Sequence, residues 1–333
     1  MEQPVRKVIM LMPKEAAPAA GGFEPVSAEY TAADRLISWK ARWGINRNDL
    51  KIKPGLYALG GPSAASPVFA TANYKLSFDA LRTNLKGVSA WLLVLDTKGI
   101  NVWCAAGKGT FGTLELTRSI QETGLENRVS HRYIILPQLG APGVSAHRVK
   151  AYTGFSVIYG PVRAGDIREF MRLGDKATPE MRQVLFEFAD RIILAPMELV
   201  SYGKYLLPAA ALLYLLGANN DALLTLSTLF ASTVLVPALL PWLPGRSFTV
   251  KSAFAGFLGL AAAAPLLHFG TLALAARVLI YVPVASFIGF QFTGCSTYTS
   301  LSGVMKEMRA ALPVQAVCAA GGLLMLLGGA LWR

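Results

Sequence analysis

Of the three cysteines in this chain, only Cys104 lies in its polar half, inside the string Asn101-Val102-Trp103-Cys104-Ala105-Ala106-Gly107-Lys108. A thiol does chemistry as its thiolate, a form that a helix N-terminus and a neighbouring cation both favour. With Asn101 as a side-chain cap, Cys104 falls in the first helical turn, and Lys108 follows four residues on along the same face. Residues 91–95 before it read as a buried strand and Thr113–Glu122 after it as a helix, so the sulfur is expected at a strand-to-helix edge. The plainer alternative is a buried core cysteine. The tail Gly107-Lys108-Gly109-Thr110 hints at a phosphate loop. Val102, however, stands where that motif requires glycine, and Gly109 where it requires Ser or Thr, which excludes an ATPase.

The same eight residues resemble the cap-helix signature of the HgcA family of mercury-methylating corrinoid proteins, relatives of the corrinoid iron–sulfur proteins of the acetyl-CoA pathway. The likeness extends to residues 54–85, residues 136–166 and the apolar half of the chain. It implies a cobalamin-type corrinoid, with Cys104 as lower axial ligand of cobalt and Asn101, Val102, Trp103, Ala105, Ala106, Gly107 and Lys108 around it. It also implies cofactor contacts at Thr71, Ala72, Asn73 and Tyr74, and at Gly160, Pro161, Val162 and Ala164. The loop holding Gly140, Gly143, Ser145 and His147 could offer backbone N–H groups and a hydroxyl to a nucleotide-tail phosphate. Taken singly, each of these loops is only a turn signal. Neither His131 nor His147 sits in the Asp-x-His-x-x-Gly pattern of histidine-ligated corrinoid proteins, which disfavours histidine on the metal; His131 is expected to pack or lie at the surface.

A thiolate donates strongly, which suits a cobalt that releases methyl as a carbanion to an electrophile such as Hg(II). Returning the metal to its reduced state needs a low-potential donor, and three cysteines are too few for an iron–sulfur cluster in this chain. The resemblance implies a small HgcB-like ferredoxin with two 4Fe–4S clusters as that donor, and a methyl source linked to methyltetrahydrofolate.

The elements that must position these residues alternate. Gly55–Leu59 reads as a strand, residues 60–72 as a loop, 74–85 as a helix, and 91–95 as a strand. Tyr133–Leu136 and Ser156–Tyr159 read as strands joined by a glycine-rich loop, with a helix near residues 166–173. This order predicts an α/β domain with a doubly wound, mostly parallel, Rossmann-like sheet. Such sheets bind ligands at the carboxyl ends of their strands, which gathers loops 60–74, 98–108, 137–147 and 160–164 at one rim.

The expected organisation has four parts: residues 1–48 a flexible lead-in and short helix bearing Trp39 and Trp43, residues 49–176 a cytoplasmic corrinoid-binding domain, residues 177–197 a connector helix, and residues 198–333 a transmembrane domain. Thr178 and Pro179 should start the connector and Pro196 end it. A composition 53% apolar and 16% charged is too greasy for an ordinary soluble protein. Residues 200–216, 223–243, 253–269, 271–292 and 311–332 each approach the roughly 20 residues a bilayer span needs, giving a bundle of five helices. The net charge of +12 comes without a basic stripe interleaved with aromatics, so nucleic acid is not an expected partner. Arg246, Lys251, Lys306 and Arg309 fall in loops on the side of the first domain, as the positive-inside rule requires. Val8-Ile9-Met10-Leu11-Met12 is too short for a signal peptide. The expectation is therefore a multi-pass protein of the cytoplasmic (inner) membrane, in contact with lipid, with its N-terminal domain in the cytoplasm. Lys204 and Arg277 are expected to snorkel. Cys295 and Cys318 are expected to be plain buried thiols, with soft-metal handling the sharper alternative. Two other functions compete with mercury methylation: a corrinoid methyl carrier of one-carbon metabolism, and a membrane sensor or transporter with a cytoplasmic ligand-binding domain.

Overall fold

The computed structural model describes residues 22–296 and 300–331; the run Val8-Ile9-Met10-Leu11-Met12 and the end at Trp332 and Arg333 lie outside the described residues. The described chain forms two compact units. One joins the residues up to Ser38 with Asn48–Gln183, the other Trp39–Arg47 with the residues from Val184 onward.

The first unit is built on a six-stranded sheet: β1 (Phe23–Val26), β2 (Gly55–Leu59), β3 (Val68–Ala72), β4 (Ala90–Leu95), β5 (Tyr133–Leu136) and β6 (Ser156–Tyr159), in the order β1-β2-β4-β3-β5-β6. β4 is buried along its whole length, Ala-Trp-Leu-Leu-Val-Leu, as a strand covered on both faces must be. It pairs in parallel with β3 from Val68↔Trp91 to Ala72↔Leu95, and antiparallel with β2. β3, β5 and β6 are parallel neighbours. The carboxyl ends of β3, β4, β5 and β6 therefore share one edge.

Alternation along the strands feeds two apolar layers. Val68, Ala70 and Ala72 of β3 and Leu93 and Leu95 of β4 pack with Val102, Ala105, Phe111, Leu116, Ile120 and Val149. The helices of this unit are α1 (Ala32–Arg42), α2 (Lys75–Asn84), α3 (Val102–Lys108), α4 (Thr113–Glu122), α5 (Ala146–Thr153) and α6 (Ile167–Arg172); Val102 and Ala105 belong to α3, Leu116 and Ile120 to α4, and Val149 to α5. Phe69, Leu92, Val94 and Ile135 pack the other way, with Phe78 and Leu81 of α2, Leu85 just after it, and Ile167 and Phe170 of α6.

Four readings of the sequence are corrected. Residues 68–72, expected as loop, form a strand bonded on both sides; Ala70 and Ala72 weaken its intrinsic signal, and the pairing supplies what propensity lacks. Residues 23–26, expected as lead-in, form the edge strand β1, where Pro25 is tolerated because one side of an edge strand needs no donor. The glycine-rich loop contains helix α5. The connector is not one helix: Thr178 caps only the short turn Glu180–Arg182, a non-helical stretch in which Phe186 takes φ 49° follows, and α7 (Phe188–Ile192) comes next. Pro196 then sits in the first turn of α8 (Ala195–Leu215) rather than ending anything, since a missing N–H is harmless there.

The second unit is helical: α7, α8, α9 (Asn219–Phe230), a π-helical turn at Ala231–Leu235, α10 (Val236–Leu239), α11 (Phe248–Ala263), α12 (Thr271–Phe290) and α13 (Leu301–Leu331). Among the described residues, four stretches are long and apolar enough to cross a membrane: Asn219–Leu239, Phe248–Leu266, Thr271–Gly294 and Ser302–Gly329. The expected first span is helical but falls outside those four; Lys204 interrupts its first half. Arg277 is paired with Asp221, in the first turn of α9. Its Nε and Nη2 reach the two oxygens of Asp221 at 2.8 and 2.6 Å, and its guanidinium lies 3.8 Å from the Phe269 ring centroid.

Candidate functional site

The segment that carries the thiol is hung from the end of β3. Asn73 is 3% exposed, and its Oδ1 accepts from Thr97 N (3.0 Å), Thr97 Oγ1 (2.9 Å) and Gly99 N (2.9 Å), while its Nδ2 donates to Asp96 Oδ1 (3.2 Å). That one amide shapes the turn leaving β4, in which Lys98 and Gly99 both adopt positive φ, 61° and 76°. The side chain of Lys51 lies across Gly99 so closely that a Cβ there would meet its Cγ at 2.6 Å.

Asn101 then takes the extended conformation of a cap, and its Oδ1 accepts from Cys104 N at 2.9 Å. α3 runs for seven residues and ends at Gly109, whose φ of 79° is the left-handed geometry that favours glycine. Val102, Ala105 and Ala106 face the core, whereas Trp103, Cys104, Gly107 and Lys108 are exposed on the opposite face. The alternative of a buried core cysteine is thereby removed: the thiol of Cys104 is free and exposed.

Beside α3 opens a cleft of about 300 Å³. It lies where β3 and β5 meet through their one register pair, Phe69↔Ile135. The chain reaches β4 on one side of β3 and β5 on the other, so this is the switch point of the parallel strands, where ligands of open α/β sheets bind. Thr71, Asn101, Val102, Trp103, Gly160, Pro161, Val162 and Ala164 line it, bringing together eight of the residues singled out in the sequence. Ser77, Ala80 and Leu81 of α2, with Ile135, Leu136, Pro137 and Leu139, form much of the remaining wall. Pro137 and Leu139 come from loop 137–147, one of the four loops the sequence gathers at this rim, although neither was singled out as a site residue.

Other singled-out residues lie outside the cleft. Ala72 and Tyr74 are buried at 0 and 6%, and Asn73 serves the turn just described. Gly140 and Gly143 are needed for packing: a Cβ on Gly140 would meet the Phe111 ring at 2.5 Å, and one on Gly143 would collide with the Phe111 carbonyl oxygen and the backbone of Ala106. Ser145 N donates to Thr113 Oγ1 at 2.8 Å, and Ser145 Oγ lies 3.0 Å from His147 Nδ1 on the surface. His131 stacks on Tyr133 at 4.0 Å between ring centroids, with Nε2 2.9 Å from the Ser66 carbonyl oxygen.

The donor set has a chemical consequence. Among the described residues no three His, Cys, Asp or Glu side chains gather to hold a bare metal ion. A single exposed sulfur suits instead a metal whose remaining ligands are supplied by a macrocycle. The apolar cleft beside it is large enough for a ring edge or an appended tail, in keeping with a ring resting on the rim.

Comparison with known proteins places residues 42–171 in a match to the CO dehydrogenase/acetyl-CoA synthase delta subunit family. The acetyl-CoA decarbonylase/synthase complex subunit gamma of Archaeoglobus fulgidus is 34% identical over 127 residues, 38% of this chain and 27% of that protein. Its counterpart in Methanocaldococcus jannaschii is 33% identical over 140 residues, 41% of this chain and 28% of the relative. The corrinoid/iron–sulfur protein large subunit of Moorella thermoacetica is 28% identical over 140 residues, 41% of this chain and 31% of the relative. This chain thus spans under a third of the length of these relatives, and the family match at residues 42–171 covers β2 to β6 and the cleft-lining residues.

Proposed function

We propose that this chain is a membrane-anchored corrinoid protein that transfers a methyl group from cobalt to Hg(II), with Cys104 as lower axial ligand. The observation that carries the reading is the exposed thiol on the capped helix α3, beside an apolar cleft at the sheet's switch point. A bound cobalamin-type corrinoid would supply the methyl-transfer chemistry itself. The protein's part is to hold one sulfur at fixed height: Asn101 orients the first turn, Val102, Ala105 and Ala106 seat it on the sheet, and Trp103 lines the cleft. A strongly donating sulfur favours loss of methyl as a carbanion, the form an electrophilic Hg(II) substrate takes up.

The regeneration step requires electrons from outside the chain, in this reading from a small ferredoxin with two 4Fe–4S clusters. The methyl group would enter from a methyltetrahydrofolate-linked donor. The helical unit anchors the protein in the cytoplasmic membrane with the α/β unit on the cytoplasmic side, the side of Arg246, Lys251, Lys306 and Arg309.

A second reading has specific support. The names of the relatives favour a corrinoid methyl carrier of acetyl-CoA metabolism, for which mercury would be an incidental acceptor. Two measurements separate these. The full chain loaded with cobalamin should show a sulfur-ligated cobalt spectrum that Cys104→Ala changes, and cells supplied with the ferredoxin should lose methylmercury formation in that variant. Full methylation by Cys104→Ala would overturn the axial-ligand assignment; loss of carrier function with no methylmercury formed by the wild type would favour the second reading.

A further inference from the structure

Residues 184–193 have the wrong polarity for a surface in water. Val184, Leu185, Phe188 and Ile193 are 43, 51, 52 and 38% exposed, while the guanidinium among them, Arg191, is 4% exposed. Arg191 Nε donates to the Pro237 carbonyl oxygen at 2.9 Å, and Nη1 to that of Phe186 at 2.7 Å. Glu187 and Asp190 are occupied at the start of α7 in a reciprocal capping box. A cation turned in and large apolar side chains turned out mark a surface whose surroundings are not water.

The neighbours of this segment say what those surroundings are. Phe186 packs with Val236, Leu240, Leu243, Phe248 and Phe292, at the end of the helical unit that also holds Val304 and Met308. That end carries Arg246, Lys251, Lys306 and Arg309, the basic rim that the positive-inside rule assigns to the cytoplasmic leaflet. The remaining stretch of this unit, Trp39–Arg47, has Trp39 and Ile45 exposed at 55 and 47%, contains Lys40, Arg42 and Arg47, and has no acidic residue.

We propose that residues 184–193 and Trp39–Arg47 form an interfacial collar seated in the cytoplasmic leaflet. Leu185, Phe188 and Ile193 enter the acyl-chain boundary, and Lys40, Arg42 and Arg47 meet anionic lipid headgroups. The collar depends on the helical unit spanning a membrane and is independent of the corrinoid reading.

The test uses the unmodified full chain in phosphatidylcholine vesicles, with and without phosphatidylglycerol, carrying a lipid with a photoactivatable acyl chain; adducts are mapped by mass spectrometry beside hydroxyl-radical labelling of the same samples. Leu324 on α13 and Leu114 on α4, each 68% exposed, serve as lipid-facing and water-facing references. Peptides bearing Leu185, Phe188 and Ile193 should take lipid adducts in yields like the Leu324 peptide and several-fold above the Leu114 peptide. Adducts on the peptide bearing Trp39 should fall when phosphatidylglycerol is left out, with the Leu324 yield unchanged. Radical labelling of Leu185 and Phe188 at the Leu114 level without lipid adducts would overturn the collar. Protection from both reagents would also overturn it, because the patch would then be covered by protein.

Discussion

At the scale of single residues, Cys104 and the two asparagines that place it have separable roles. Asn101→Ala removes a side-chain cap whose acceptor meets the Cys104 N–H, and should cost about 1 kcal/mol in urea unfolding while speeding amide exchange at Cys104. Asn73→Ala should cost more, about 2–4 kcal/mol, because Thr97 N and Gly99 N each lose a buried acceptor. It should also weaken corrinoid binding, measured by equilibrium titration, since the turn that delivers α3 would relax. Sequence reasoning found Asn101 and Cys104 through capping preference and helical spacing, which are local properties. It gave Asn73 a cofactor contact, whereas its amide spans 23 to 26 residues of sequence to reach its partners, a distance no local pattern encodes.

At the scale of elements, strands with strong apolar runs were legible: Gly55–Leu59, Tyr133–Leu136 and Ser156–Tyr159 stand where the pattern placed them. β3 was not, because Val-Phe-Ala-Thr-Ala becomes a strand only between two partners. What fastens α2 to the chain before it was equally hidden. Lys75 Nζ lies 2.7 Å from Asp34 Oδ1 and 2.8 Å from Asp79 Oδ2, and Arg82 reaches the same two carboxylates at 2.8 and 2.7 Å. Arg82 Nη1 also donates to the carbonyl oxygens of Ser27 and Glu29. Burial pushes the Asp34 carboxyl up, but hydrogen bonds from Lys75, Thr31 and Arg82 outweigh it and hold it well below its ordinary 3.8. Its folded value being depressed, its contribution to stability is complete above that ordinary value and is lost as pH falls below it. Thermal melts should therefore show the clasp weakening in strong acid, and Asp34→Asn should flatten that acid limb. Gly143→Ala, which drives a Cβ into the Phe111 carbonyl oxygen, should cost about 1–3 kcal/mol by the same assay.

At the scale of the whole molecule, the two units have separate cores, the first of two layers about a sheet and the second of interlocked helices. The sequence reading set a connector at residues 177–197 between the two domains, whereas the units meet at Gln183 and Val184 and the second takes in Trp39–Arg47, a grouping through contacts distant in sequence that charge and hydropathy do not encode. A helix pattern read along residues 178–194 has no means of showing that its middle is non-helical. Within the helical unit, Asp221→Ala should leave the Arg277 guanidinium without its carboxylate, destabilising the unit by about 3–5 kcal/mol in detergent unfolding, and Arg277→Met in that background should recover part of the loss.

Both ends of α3 are tied down, the first by Asn101 and the turn that Asn73 shapes, the last by Gly109 and by Phe111 wedged against Gly140 and Gly143. A stub anchored twice within seven residues has no slack to travel. Any atom bound to the sulfur that is pulled outward must stretch its own bond or leave, because the peg beneath cannot rise to follow it.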